Sequence, residues 1–165
     1  MSSFNQLTIR QKLMLSFGSV VAVLLMLAAL AVVQLGNVHD TTQEIANNWL
    51  PSVESINQLD SELSNFAFLQ AQHVASTDDK LMASVEKQLG ESKTAIASIR
   101  TRYEKLISSQ DERNRYDSWA SKWASYQAVY DKMITLSRAN HNAGALALLT
   151  GECRTLFDAM GEDID

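Results

Sequence analysis

The sequence holds almost nothing that breaks a helix. It has a single proline, Pro51, and six glycines. Chains built of strands and tight turns draw heavily on both residues. Their scarcity, beside much Ala, Leu, Gln and Glu, points to an all-α chain. Cysteine is equally rare: the lone Cys153 excludes an internal disulfide and any two-cysteine metal or haem motif, and its apolar stripe makes it a small core residue. Positive charge is missing from a long middle stretch, with no Lys or Arg between Lys12 and Lys80. All 19 acidic residues lie after Val33, against 12 of the 14 basic ones, so that part carries a net −7. Such a balance argues against a nucleic-acid partner, because phosphate binding needs clustered Lys and Arg.

Catalytic patterns are absent too. There is no Gly-rich phosphate loop, no HExxH and no recognisable Ser/His/Asp ordering. His39, His73 and His141 are too far apart for a helical metal pair, so no metal or cofactor is expected. The acidic pairs Asp78-Asp79 and Asp111-Glu112 stand at helix starts, where the helix dipole accounts for them. The sequence therefore reads as a non-enzyme.

What is present begins with Leu13 to Val33, an uninterrupted run without a charge. At about 1.5 Å per residue a helix of this length spans roughly 30 Å, the thickness of a bilayer core. Arg10 and Lys12 precede it, and acids alone follow it for a long way. The retention of positive charge in the cytoplasm then places residues 1–12 inside, a transmembrane helix at 13–33, and residues 34–165 outside. Ala29-Leu30-Ala31 resembles a signal cleavage site, but a signal's apolar core is usually about 7–15 residues and this run is longer, which favours an uncleaved anchor.

Beyond the anchor, apolar residues recur at steps of 3 and 4. A first helix, from Gln34 to about Ala75, carries Ile45, Trp49, Val53, Ile56, Leu59, Leu63, Phe66 and Val74. Pro51 should kink it or open a turn, with Trp49 and Leu50 packing the kink. Ser76-Thr77-Asp78-Asp79 breaks this helix and caps a second, over 79–107, whose Met82, Val85, Leu89, Ser92, Ile96, Ile99, Tyr103 and Leu106 form a heptad seam. Ser109 and Glu112 make a capping box for a third, about 110–138, with Tyr116, Trp119, Trp123, Tyr126, Tyr130 and Met133 at core spacing. Asn140-His141-Asn142 turns and caps a fourth, with Leu146, Leu149, Cys153, Leu156, Met160 and Ile164 on its stripe. Short turns make neighbours antiparallel, so the expected fold is a transmembrane helix continuing into an up-down-up-down four-helix bundle. The fourth helix is too short to return to the membrane, and the expectation is a fourth helix truncated at its C-terminal end.

The lead FNQLTIRQKLMLSFG, the anchor, NNWLPSVESINQL (Asn47 to Leu59), YEKLISSQDERNRYDSW (Tyr103 to Trp119) and ALALLTGECRTLFDAM (Ala145 to Met160) resemble the four-helix-bundle ligand-binding region of methyl-accepting chemotaxis proteins. The resemblance covers essentially the whole chain. It implies a bacterial inner-membrane receptor whose periplasmic bundle binds a small molecule, usually as a homodimer. The signal would reach a histidine kinase and its adaptor only through a cytoplasmic region that these residues do not include. Some such receptors grip an anion with arginines on the distal first helix, but here Ser64 to Ser76 has none. An intrasubunit pocket, or recognition through a binding protein, becomes the better expectation.

Helix geometry locates a candidate pocket. Residues equally far from the distal turns share a height, which groups Ser64 and Asn65, Lys93 and Thr94, Lys122 and Tyr126, and Arg154. Cations beside hydroxyls and an amide suit a small carboxylate, such as an organic acid or amino acid. Two other readings stand beside a chemoreceptor: the sensory domain of a membrane histidine kinase or cyclic-dinucleotide enzyme, and a non-sensing helical scaffold that dimerises through the Met82–Leu106 seam.

Overall fold

The structure is a computed structural model that describes residues 8–164, so Leu7 and most of the expected cytoplasmic lead lie outside the described residues. The chain divides into two compact units, Met1–Asn47 and Asn48–Asp165. Among the described residues it is all helical.

The first unit is dominated by α1, Ile9–Glu44. Thr8 begins it with a capping box: the Gln11 N–H donates to Thr8 Oγ1 at 3.4 Å, and the Thr8 N–H donates to Gln11 Oε1 at 3.0 Å. No α1 residue is buried, and the helix is long and apolar enough to cross a membrane. Its hydroxyls near the N-terminal end are satisfied locally. Ser16 donates to the Lys12 carbonyl and Ser19 to the Ser16 carbonyl, both at 2.8 Å.

Pro51 makes itself felt upstream of its own position. A π turn, Ile45–Trp49, directly precedes α2, Leu50–Ala75, and Pro51 sits in the first turn of α2. A proline ring collides with the carbonyl four residues back, here that of Asn47, and a widened turn relieves the collision. Within α2 the inward face runs from Ser52 and Ser55 through Leu59, Leu63, Phe66, Gln70 and His73, at steps of 3 and 4. Val74 is buried and Ile56 half-buried, as the stripe predicts. Ile45, Trp49 and Val53 are exposed instead, and Trp49 and Leu50 do not pack the kink, being 59% and 62% exposed.

The second unit contains α2, α3 (Asp79–Tyr103), α4 (Gln110–Arg138), and a fourth helix made of α5 (Asn142–Leu148), a π turn (Leu149–Cys153) and α6 (Arg154–Ile164). Asp78 caps α3 by accepting from the N–H groups of Lys80 and Leu81. Every seam residue from Met82 to Tyr103 is buried, while Leu106 lies in the following turn because α3 ends at Tyr103. The seam faces the chain's own core, so it cannot serve as the surface of a dimerisation scaffold. Ser109 caps α4 by accepting from the Glu112 N–H at 3.1 Å. The return half of the capping box is displaced by one residue: Glu112 accepts from the Ser108 N–H and from the Tyr103 hydroxyl, both at 3.0 Å, which ties the end of α3 to the start of α4.

The core is built on the aromatic face of α4. Tyr116, Trp119, Trp123 and Tyr126 form an offset stack with successive centroids 6.3, 6.0 and 5.6 Å apart. Phe66 of α2 stands against Trp123 at 5.6 Å and Tyr130 at 5.1 Å. At the third turn Asn140 takes a left-handed backbone with φ 55°, which asparagine tolerates better than most side chains. His141 precedes α5 without a side-chain cap, so the cap expected from Asn140-His141-Asn142 does not form. Asn142 Nδ2 instead donates to the Ser76 carbonyl at 3.5 Å and joins the two distal turns. On the fourth helix Cys153 and Met160 are buried, and Leu149, Leu156 and Ile164 are half-buried. Leu146 is exposed and Ala145 takes the buried place, because the π turn at Leu149–Cys153 breaks the period on which the stripe was counted.

Phe66 and Phe68 offer a direct check of this phase, being 0% and 65% exposed. Phe66→Ala should cost about 3–5 kcal/mol in urea unfolding followed by tryptophan fluorescence, as expected for a buried ring. Phe68→Ala should stay within about 0.5 kcal/mol of the parent.

Candidate functional site

The seven residues grouped by height do not converge on one point. Tyr126 and Arg154 come together, in a cleft of about 520 Å³ between α2, α4 and the fourth helix. Ser64, one residue from Asn65, lines the same cleft. Asn65 is turned away by the rotation of about 100° per residue in a helix, and its amide donates to Glu62. Thr94 is exposed, its hydroxyl donating to the Gly90 carbonyl at 2.9 Å. Lys122 is held at the end of α6, donating to the Ala159 carbonyl at 2.8 Å and pairing with Asp163 at 2.7 Å. Lys93 lies in a different groove, between α3 and α4, with its ammonium 4.2 Å from the centre of the Tyr130 ring and 3.7 Å from Asp131.

The cleft around Tyr126 has apolar walls and few polar groups. Ala67 and Ala71 leave room on the α2 side. Leu149, Cys153 and Phe157 form the opposite wall. The π turn that disturbs the fourth helix lies in this wall and brings Thr150 and Arg154 to the opening. Hydroxyls satisfy carbonyls around it: Thr150 donates to Leu146 at 2.8 Å and Thr155 to Gly151 at 3.1 Å. Arg154 Nε pairs with Asp158 at 2.8 Å on the exposed side, and the rest of its guanidinium fork is uncommitted in that pair.

At the inner end, the Tyr126 hydroxyl donates to Gln70 Oε1 at 3.0 Å, and the Gln70 amide nitrogen is buried without a hydrogen-bond partner. Burial raises the pKa of the Tyr126 hydroxyl well above the ordinary tyrosine value. The Cys153 thiol is pushed up to about 11, chiefly by burial, so both groups stay neutral. A larger groove of about 750 Å³ runs between α2 and α3, but it is shallow and open, carries Glu54 and Glu62 and has no cation. It suits an anion poorly, and the cleft at Tyr126 is the better candidate.

A second polar assembly lies nearer the distal turns. His73 is fully buried, with Nδ1 2.8 Å from Ser137 Oγ and Nε2 3.0 Å from Glu86 Oε1, while Ser137 donates to the His73 carbonyl at 3.1 Å. Glu86 also takes two bonds from Arg138, both 2.6 Å. This bidentate partner, with His73 behind it and burial opposing, lowers the Glu86 carboxyl to about 2. The network ties α2, α3 and α4 together. Gln70 and His73 bring this polar chemistry into the α2 side of the core. Their i, i+3 spacing, in step with Leu59, Leu63 and Phe66, is the signal that they face inward.

Comparison with known proteins gives this geometry a context. A family model described as a four helix bundle sensory module for signal transduction matches residues 6–165. The chain belongs to that family. It is also similar to YvaQ, a protein of Bacillus subtilis (strain 168) named as a sensory transducer, with 22% identity over 159 residues. That match covers 96% of this chain and 28% of the relative, so the chain spans little more than a quarter of the relative's length. No solved structure matches the chain.

The distal network makes a pH prediction. Glu86 has a depressed pKa in the folded chain, so its stabilising contribution is complete above the ordinary carboxylate value of 4.5 and is lost as pH falls towards about 2. Thermal unfolding at pH 7 and pH 3 should therefore show a smaller loss for Glu86→Gln than for the parent. Equal losses would contradict the pairing.

Proposed function

We propose that this chain is the sensing part of a transmembrane chemotaxis transducer, and that a small carboxylate-bearing molecule binds in the cleft beside Tyr126. The observation that carries the reading is the cleft itself: a cation, Arg154, stands at the mouth of an apolar opening between the first, third and fourth helices of a bundle whose family is sensory. Residues 13–33 form the membrane anchor, residues 1–12 lie in the cytoplasm and residues 34–165 form the periplasmic sensor in the bacterial inner membrane. The exposed apolar length of α1 supports that assignment. Binding acts by differential affinity for two arrangements of the fourth helix against α2 and α4. A histidine kinase and adaptor receive the signal through a cytoplasmic region outside these residues.

The sensor acts as a homodimer. Leu50 and Val53 are exposed on the outer face of α2, one step of 3 apart, and a second copy offers them cover. Cys153 is buried, so an engineered Val53→Cys supplies the chain's exposed thiol. Mild oxidation should give disulfide-linked dimers with Val53→Cys and none with Lys87→Cys, read on a non-reducing gel. Monomer in both would remove the dimer from the account.

Ligand binding is tested by thermal shift of the full chain in detergent micelles, against organic acids and amino acids. A ligand at a hundred times its dissociation constant adds about 2.7 kcal/mol of stability. That gain should vanish in Arg154→Ala and persist in Thr94→Ala. A chain that no compound stabilises would instead fit a membrane-anchored scaffold.

A further inference from the structure

We propose that the cleft beside Tyr126 selects a monocarboxylate with an aromatic or branched aliphatic body and rejects dicarboxylates and amino acids. This rests on that cleft being the sensing site.

The charge of the site sets the charge of the ligand. Among the described residues Arg154 is the one cation lining the cleft, because Lys122 is spent on Asp163 and Ala159, and Lys93 belongs to the groove between α3 and α4. Among the same residues no Asp or Glu lines the cleft, and Asp158, outside the lining, holds Arg154 Nε at 2.8 Å. A single carboxylate finds a fork of N–H donors there, with Ser64 and Thr150 beside it. An α-ammonium group finds no counter-charge. A second carboxylate would meet Ala67, Ala71, Leu149 and Phe157, which offer it nothing in exchange for its water.

The walls set the body of the ligand. They are methyl, thiol and ring surfaces, with Phe157 on one side and Tyr126 at depth, and an opening of about 520 Å³ accepts a six-membered ring or a branched chain. Behind the Tyr126 ring the hydroxyl is already committed, donating to Gln70 Oε1 at 3.0 Å, so the inner wall offers a ligand the ring face rather than a free donor. The neutral thiol of Cys153 and neutral hydroxyl of Tyr126 add no charge to disturb this.

The test is isothermal titration of the full chain in detergent micelles with benzoate, 4-hydroxybenzoate, 3-methylbutanoate, succinate and L-aspartate. Two variants address the site. Arg154→Gln removes the cation, and Ala71→Leu fills the cleft from an exposed position where the fold has nothing to lose. Lys93→Gln is the control outside the cleft. The expected result is binding of at least one monocarboxylate, weakened at least tenfold by Arg154→Gln and by Ala71→Leu, unchanged in Lys93→Gln, and at least tenfold tighter than succinate or aspartate. Succinate or aspartate binding best, with the same sensitivity to the two cleft variants, would overturn the ligand class and leave the site standing. Binding that ignores both cleft variants, or no binding of any of the five at 10-millimolar order concentrations, would overturn the site together with the class.

Discussion

Phe66 stands against the rings of Trp123, Tyr126 and Tyr130, and through that contact α2 and α4 share one core. It is the constraint on which the remaining packing depends. Ring stacking along α4 fixes which of its faces points inward, and Phe66 fixes the rotation of α2 against it. The seam of α3 closes one side of this unit and the fourth helix closes the other. The buried rings contribute a large apolar area to the driving force, shared with the aliphatic residues of all four helices, while their edge and offset geometry supplies the register.

Two polar links cross the core and refine that register. Gln70 meets Tyr126, and His73 meets Ser137 and Glu86. Such links add little net stability, because burial costs nearly what the bonds return, but a wrong rotation of α2 would leave four buried polar groups unpaired. The link at Gln70 is incomplete, because its amide nitrogen is buried without a hydrogen-bond partner among the described residues.

The sequence made the regular elements plain and hid the irregular ones. Met82 to Tyr103 keeps an unbroken 3-4 rhythm, and every one of those residues is buried. The α4 aromatics behave likewise. Prediction failed at the irregular turns and where a step was miscounted: Trp49 lies in the π turn before Pro51, Val53 sits about 120° from Leu59 around α2, and Leu146 falls outside before the turn at Leu149–Cys153. Gly151 is a weak helix former but gives no steric sign of such a turn, since a Cβ there would meet nothing within 4 Å. For the site, distance from the distal turns gave the right height and could not give the face. It grouped Ser64, Tyr126 and Arg154, which line one cleft, with Asn65, which points away from it, and Lys93, which belongs to another groove. One helical residue is about 100° of rotation, enough to move a side chain from a cleft to solvent.

The central claim is that ligand chemistry happens between α2, α4 and the fourth helix. Methyl-detected NMR of the full chain in detergent micelles, with labelled Ala, Leu and Met methyls, reports on each region separately. Titration with 4-hydroxybenzoate should shift the methyls of Ala67, Ala71 and Leu149 in a saturable manner and leave Met82, buried on α3 away from the cleft, unchanged. Shifts that leave those three methyls still while others move, or no saturable shift anywhere, would contradict the account.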